Sequence, residues 1–166
     1  MTIFVVDTNV AIVANGRETH ADLECQLECA KRLKLLAERG IVALDDRRLI
    51  IDEYRGRLNS SGMPGVGDAF LKHLFNNQHQ NNRVRKVAVK PSDDRRGFEG
   101  LPENAFDRSD RKFLAVAVAA EAVVLNATDS DWNEHKELLE KVGVKVCQLC
   151  PQHASKGLDA SDDRGE

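Results

Sequence analysis

Ile3-Phe4-Val5-Val6-Asp7-Thr8-Asn9 decides the architecture of this chain. Four apolar residues in succession, without polar alternation, are the pattern of a strand buried on both faces. An aspartate ends the run where the strand hands over to the next element. Working outward, further strands read at Ile41–Leu44, Val84–Val89, Val123–Asn126 and Val144–Leu149. Helical periodicity fills the intervals. Thr19 to Arg39 reads as one long amphipathic helix, with Thr19 and Asp22 as a capping box and Gly40 as its stop. Arg47–Leu58 follows Asp45-Asp46, Asp68–Phe75 presents Phe70, Leu71 and Leu74, and Asp110–Glu121 is apolar nearly all round behind Ser109 as N-cap. Trp132–Val142, capped by Asp131, closes at Gly143.

Strands alternating with helices predict an α/β domain with a central, mostly parallel five-stranded sheet flanked by helices on both faces. Residues 1–150 form that domain, and 151–166 form a polar, flexible tail, most clearly over Asp159–Glu166. Loops are expected around Asn15-Gly16, over the polar tract Asn76–Asn82 and over the aperiodic Pro91–Asn104.

The composition, 42% hydrophobic and 31% charged over 166 residues, fits a globular chain with one core. No apolar run reaches the roughly 20 residues of a membrane span, and the opening Met1–Val6 is too short for a signal peptide, so a cytoplasmic setting is expected. Net charge is -3, so attraction to nucleic acid must come from local patches. Aromatic content of 5% argues against an extended base-stacking platform. In a cytoplasmic chain the four cysteines are expected as ordinary buried thiols, with a structural metal at Cys147 and Cys150, near His153, as the lesser alternative. Cys25 and Cys29 share a helix stripe with Leu33 and Leu36, which places them in the core.

Four acids fall at equivalent topological places, at the end of a strand or early in the helix after it: Asp7, Glu53, Asp110 and Asp129. In open parallel sheets, ligands bind beyond the carboxyl ends of the strands. Carboxylates converging there repel one another unless protons or a hard divalent cation fill the site. Each acid also has a structural reading. Asp7 can serve as a turn or cap, Glu53 can pair with a nearby arginine, and Asp110 can favour a helix dipole. Asp107 and Asp131 stand close in sequence and can assist, and Asp131 is also a good N-cap.

These motifs resemble those of the PIN-domain ribonucleases, over Thr2 to about Leu149. Val5-Val6-Asp7-Thr8-Asn9 resembles the opening strand motif. Glu53 resembles the second acid, and Asp110-Arg111-Lys112-Phe113-Leu114-Ala115-Val116-Ala117 the third acid with its alanine-rich helix. Asn126-Ala127-Thr128-Asp129-Ser130-Asp131-Trp132 resembles the closing motif. The resemblance implies a metal-dependent endoribonuclease in which Asp7, Glu53, Asp110 and Asp129, with Asp131, hold Mg²⁺ or Mn²⁺ and activate water. Thr8, Asn9, Asp107 and Thr128 would support them, and Arg108, Arg111 and Lys112 would hold the RNA backbone. Ala127 departs from the pattern, which often has a hydroxyl there; Thr128 is the substitute, or that function is absent. Implied partners are single-stranded RNA, a second copy of the chain and, if it is a toxin, an antitoxin; no membrane is implied. Two other readings are a PIN-like RNA- or protein-binding module without catalysis, and an aspartate-based phosphotransfer enzyme. The latter lacks a strand-end lysine and has Asn9 where a second aspartate is expected.

Overall fold

A computed structural model describes residues 1–17 and 20–154. Strand β1 is Ile3–Val6, with Val5 and Val6 wholly buried. Helices α1 (Thr8–Ala14) and α2 (Leu23–Arg39) lead to β2 (Ile41–Asp45), every residue of which is buried. Then come α3 (Leu49–Arg57), α4 (Val66–Asn77), β3 (Val84–Val87), α5 (Arg111–Ala120) and β4 (Val123–Asn126). The chain continues through α6 (Asp131–Glu134), α7 (Lys136–Val142), β5 (Val146–Gln148) and α8 (Pro151–Ala154). The five strands form one sheet in the order β3-β2-β1-β4-β5, and every neighbouring pair is parallel. Among the described residues no helix is long and apolar enough to cross a membrane.

The strand order reverses at β1. The chain steps from β1 to β2 and β3 on one side, then returns to β4 and β5 on the other. Right-handed crossovers running in opposite directions carry their helices to opposite faces of the sheet. Accordingly α1, α2 and α4 pack on one another, while α5 lies across β1, β2, β3 and β4. The reversal leaves a crevice beyond the carboxyl ends of β1 and β4, where Phe4 pairs with Val123 and Val6 with Leu125.

Local chemistry sets several element ends differently from the sequence expectation. The first strand is followed at once by α1, because the Asp7 carboxylate accepts the Asn9 amide and caps the helix. The Asn15-Gly16 loop begins only after it. Helix α2 starts at Leu23, where the Asp22 carboxylate accepts the Cys25 amide at 2.8 Å; the Thr19 cap and the tail Asp159–Glu166 lie outside the described residues. Asp45 caps α3 by accepting the amides of Arg47, Leu49 and Ile50, each at 2.9 Å. Asp107, not Ser109, organises the start of α5, accepting the Ser109 amide at 2.9 Å. The single helix expected over Trp132–Val142 is two helices, α6 and α7, divided at His135. Trp132 and His135 both set their rings edge-on to Phe106, at 4.8 and 5.1 Å, which holds α6 towards the crevice. Pro151–Ala154, assigned to the tail, makes a helical turn with Ala154 buried.

The cysteines also depart from expectation. A disulfide joins Cys25 to Cys150, 125 residues apart, while Cys29 and Cys147 are free thiols. The burial of Cys25, Cys29, Leu33 and Leu36 along one stripe of α2 is as expected. What the sequence spacing could not show is that the end of β5 docks against the first turn of α2.

Helices α1 and α4 touch at Gly67, where a Cβ would lie 2.1 Å from the Ala11 carbonyl oxygen. The next residue, Asp68, has no exposed surface. Its carboxylate accepts the Asn59 amide at 2.7 Å, the Gly65 amide at 3.0 Å and Asn15 Nδ2 at 3.0 Å, with Arg17 3.8 Å away. Burial alone would push this carboxyl up, but those donors hold it below the ordinary carboxylate value. Asp68→Ala leaves the part-buried Asn59 and Gly65 amides and Asn15 Nδ2 without their acceptor, so a loss of about 2–4 kcal/mol in urea denaturation is expected. A loss under about 1 kcal/mol would show that water replaces the carboxylate.

Candidate active site

Asp7 leaves the carboxyl end of β1 and is tied to β4, its amide donating to the Leu125 carbonyl at 3.1 Å. Its side chain is buried. Trp132 Nε1 donates to Asp7 Oδ2 at 2.6 Å, and the Asn9 amide donates to Oδ1 at 3.3 Å. Tyr54, buried on α3, donates its hydroxyl to the carbonyl of Val6, fixing the residue before the acid.

Asn9 fixes the segment after β4. Its Oδ1 accepts the amides of Ala127 (2.9 Å) and Thr128 (3.1 Å), and its Nδ2 donates to Asn126 Oδ1 at 3.0 Å. Asn126, fully buried, donates through Nδ2 to the Asp129 carbonyl (2.8 Å) and to Gln148 Oε1 (2.7 Å). Asp129 Oδ1 accepts the Asp131 amide at 2.9 Å. A turn beyond the strand end is thus pinned to β1 and β5 by amide side chains, and it presents Asp129 beside Asp7.

Carboxylate oxygens of Asp7, Asp110 and Asp129 lie within 4.8 Å of one another, and those of Asp107, Asp110 and Asp131 form a second such group. Asp110 belongs to both. Of the four acids singled out in the sequence, three converge tightly. Glu53 stands to one side: it accepts from the Thr8 hydroxyl and pairs with Lys112 Nζ at 2.8 Å. Its charge still acts on Asp7. Thr8 therefore supports Glu53, and Thr128 enters the site through its backbone amide on Asn9.

Proximity changes the protonation of these acids. Burial chiefly raises Asp7 to about 7; Asp129 and Glu53 add to the rise, while the Trp132 and Asn9 hydrogen bonds oppose it. Asp110 is raised by burial first, then by the charges of Asp7 and Asp129 and by its side-chain contacts with Asp129 and Asp131. Asp131 is raised by burial and by Asp129. Asp107 is held low by its hydrogen bonds from Ser109. Without a cation, protons fill the cluster, as like charges at this spacing require.

The three cations named from the sequence have different fates. Arg111 is buried rather than presented to a substrate: its guanidinium donates to the Asp94 carbonyl (2.7 Å), the Asn104 carbonyl (2.9 Å) and Asn104 Oδ1 (3.1 Å). It holds the long loop 91–104 against α5. Lys112 is occupied by Glu53 and by the Ser109 carbonyl. Arg108 alone is well exposed, with Asp94 at 3.8 Å. A depression of about 460 Å³ beside Asp131 is lined by Asn104, Asn133, Glu134, His135, Lys136 and Lys141 among others, and the last two lysines were not anticipated.

Trp132→Phe removes the only donor to Asp7 Oδ2 among the described residues, and leaves space beside Phe106. A stability loss of about 2–3 kcal/mol is expected by chemical denaturation. An unchanged midpoint would mean that this hydrogen bond contributes nothing to the fold.

No family model matches the chain, and no curated protein or solved structure matches it.

Proposed function

We propose that this chain is a divalent-metal-dependent endoribonuclease of the PIN-like type, acting on single-stranded RNA in the cytoplasm. The observation that carries the reading is the convergence of Asp7, Asp110 and Asp129 at the point where the strand order reverses. The donor set fits the group: three carboxylates from three separate chain segments offer hard oxygen ligands, which suit Mg²⁺ or Mn²⁺. Bound there, such an ion would supply a Lewis acid for the phosphodiester and would lower the pKa of water.

The chain's own groups divide the remaining work. Asp7 is oriented by Trp132 and Asn9, so Oδ2 is engaged and the carboxylate cannot swing away. Asp129 is presented by the Asn9–Asn126 network. Asp110, raised beside Asp129 and Asp131, holds a proton, and loss of that proton accompanies cation binding. Glu53, held by Thr8 and Lys112, tunes the charge at Asp7 from the margin. Arg108, Lys136 and Lys141 are the exposed cations available to phosphates beside the acids.

The test is cleavage of end-labelled single-stranded RNA by the purified chain with Mn²⁺, with Mg²⁺ and with chelator. Cleavage present with either ion and abolished by chelator is expected. RNA retention without cleavage under any condition would favour the binding-module reading.

A further inference from the structure

The acids are not the only tight group of metal-ligating side chains. Where α2 meets the end of β5, Cys25, Cys29 and Cys150 bring their sulfurs within 4.8 Å of one another, all fully buried. Cys25 and Cys29 lie one turn apart on α2, and Cys150 opens the turn into α8. Cys29 Sγ is 3.9 Å from Cys150 Sγ. Thiolates on a tetrahedral zinc ion, with Zn–S near 2.3 Å, stand about 3.8 Å apart.

A second observation concerns His153, one helical turn after Cys150. Its side chain is 9% exposed, and its Nδ1 is buried without a hydrogen-bond partner among the described residues. Its other nitrogen, Nε2, accepts the Asp22 amide at 3.4 Å and lies 3.3 Å from Asp22 Oδ2. Asp22 also caps α2 through the Cys25 amide, so the imidazole is anchored at the helix turn that carries the thiols. A metal-ligating histidine usually directs its second nitrogen at a carboxylate in this manner. In the disulfide form the imidazole stands outside the 4.8 Å group.

We propose that in the reduced chain Cys25, Cys29, Cys150 and His153 Nδ1 form a structural zinc site, with Asp22 accepting from His153 Nε2. The spacings Cys25-x₃-Cys29 and Cys150-x₂-His153 supply two short ligand pairs from two elements that the fold brings together. In a reducing compartment the Cys25–Cys150 bond is not maintained, and three buried thiols would otherwise stand within 4.8 Å of one another, with an orphaned buried imidazole nitrogen one helical turn after Cys150. Disulfide exchange by Cys29 is disfavoured, because burial, and secondarily Glu28, pushes that thiol up to about 12. A soft cation overcomes this directly by displacing the thiol protons.

The test uses the full chain prepared with a phosphine reductant, which opens the disulfide to two thiols and leaves as phosphine oxide. Titration with Co²⁺ is expected to give a one-to-one complex with a thiolate-to-metal charge-transfer band and intense tetrahedral visible absorption, both removed by Zn²⁺. Cys29→Ser should lose the charge-transfer intensity of one thiolate, and His153→Ala should weaken Co²⁺ binding at least about tenfold. Asp7→Asn should leave the bands intact, which separates this site from the carboxylates. Absence of a thiolate band in reduced wild-type chain that is folded by circular dichroism would overturn the proposal. So would bands and affinity unchanged in either Cys29→Ser or His153→Ala, or bands lost in a folded Asp7→Asn.

Discussion

Asp7→Asn is expected to lower metal-dependent RNA cleavage by on the order of 10³-fold while making the metal-free protein more stable above pH 7. The two effects share one cause. Asparagine keeps the shape of aspartate, caps a helix as well, and can still accept from Trp132 Nε1. It carries no charge, so the burial penalty, and the smaller repulsion from Asp129 and Glu53, that raise Asp7 to about 7 vanish. It is also a poor ligand for a hard cation. If Asp7 were only the buried cap of α1, the substitution would still stabilise the metal-free protein above pH 7 but would leave cleavage unchanged. Steady-state cleavage and thermal melting at pH 8 in chelator, on the same preparations, distinguish the two cases.

Metal-free wild-type protein should lose stability as pH rises from about 5 to beyond 7, and saturating Mn²⁺ should reverse that trend. The sign follows from proton counting. The folded pKa of Asp7 is about 7, against an ordinary value of 3.8, so the folded state binds more protons across that window. Stability due to those protons is fully present below the unfolded pKa and is lost as pH climbs through the folded one. At 1.36 kcal/mol per unit, Asp7 alone accounts for about 4 kcal/mol, and Asp110 and Asp131 act in the same direction. Asp68 and Asp107, both held low, act oppositely: their contribution is present above the unfolded carboxylate pKa and is lost as the solution becomes more acidic. Metal-free stability should therefore peak near pH 5. Denaturation midpoints at pH 5 and pH 8, with Mn²⁺ and with chelator, check this. Higher stability at pH 8 than at pH 5 in chelator would show that the acids are hydrated rather than confined.

Much of this arrangement was legible in the sequence because it rests on local patterns. The buried run ending at Asp7 needed only its apolar continuity, and β4 was placed with its bounds, Val123–Asn126. The stripe Cys25, Cys29, Leu33 and Leu36 followed from helical spacing. What escaped depends on long-range partners. Arg111 looked like a surface cation because its sign was visible and the carbonyls of Asp94 and Asn104 were not. Asn126 was read as the end of a strand, whereas its amide, with that of Asn9, shapes the whole turn carrying Asp129. Glu53 was grouped with the other acids by topological position, but Lys112, the second residue of α5, draws it aside. A buried asparagine at a strand end, flanked by acids, was the signal available for Asn126.

The most direct test of the central claim uses the protein's single tryptophan, which donates to the proposed ligand itself. Mn²⁺ would be titrated into chelator-stripped protein at pH 7.5, following Trp132 emission and heat in parallel, with Asp7→Asn beside it. Saturable binding that alters Trp132 emission, releases protons and disappears in Asp7→Asn is the predicted result. No saturable binding up to millimolar Mn²⁺, or equal binding by the Asp7→Asn protein, would contradict the assignment of these carboxylates as a metal centre.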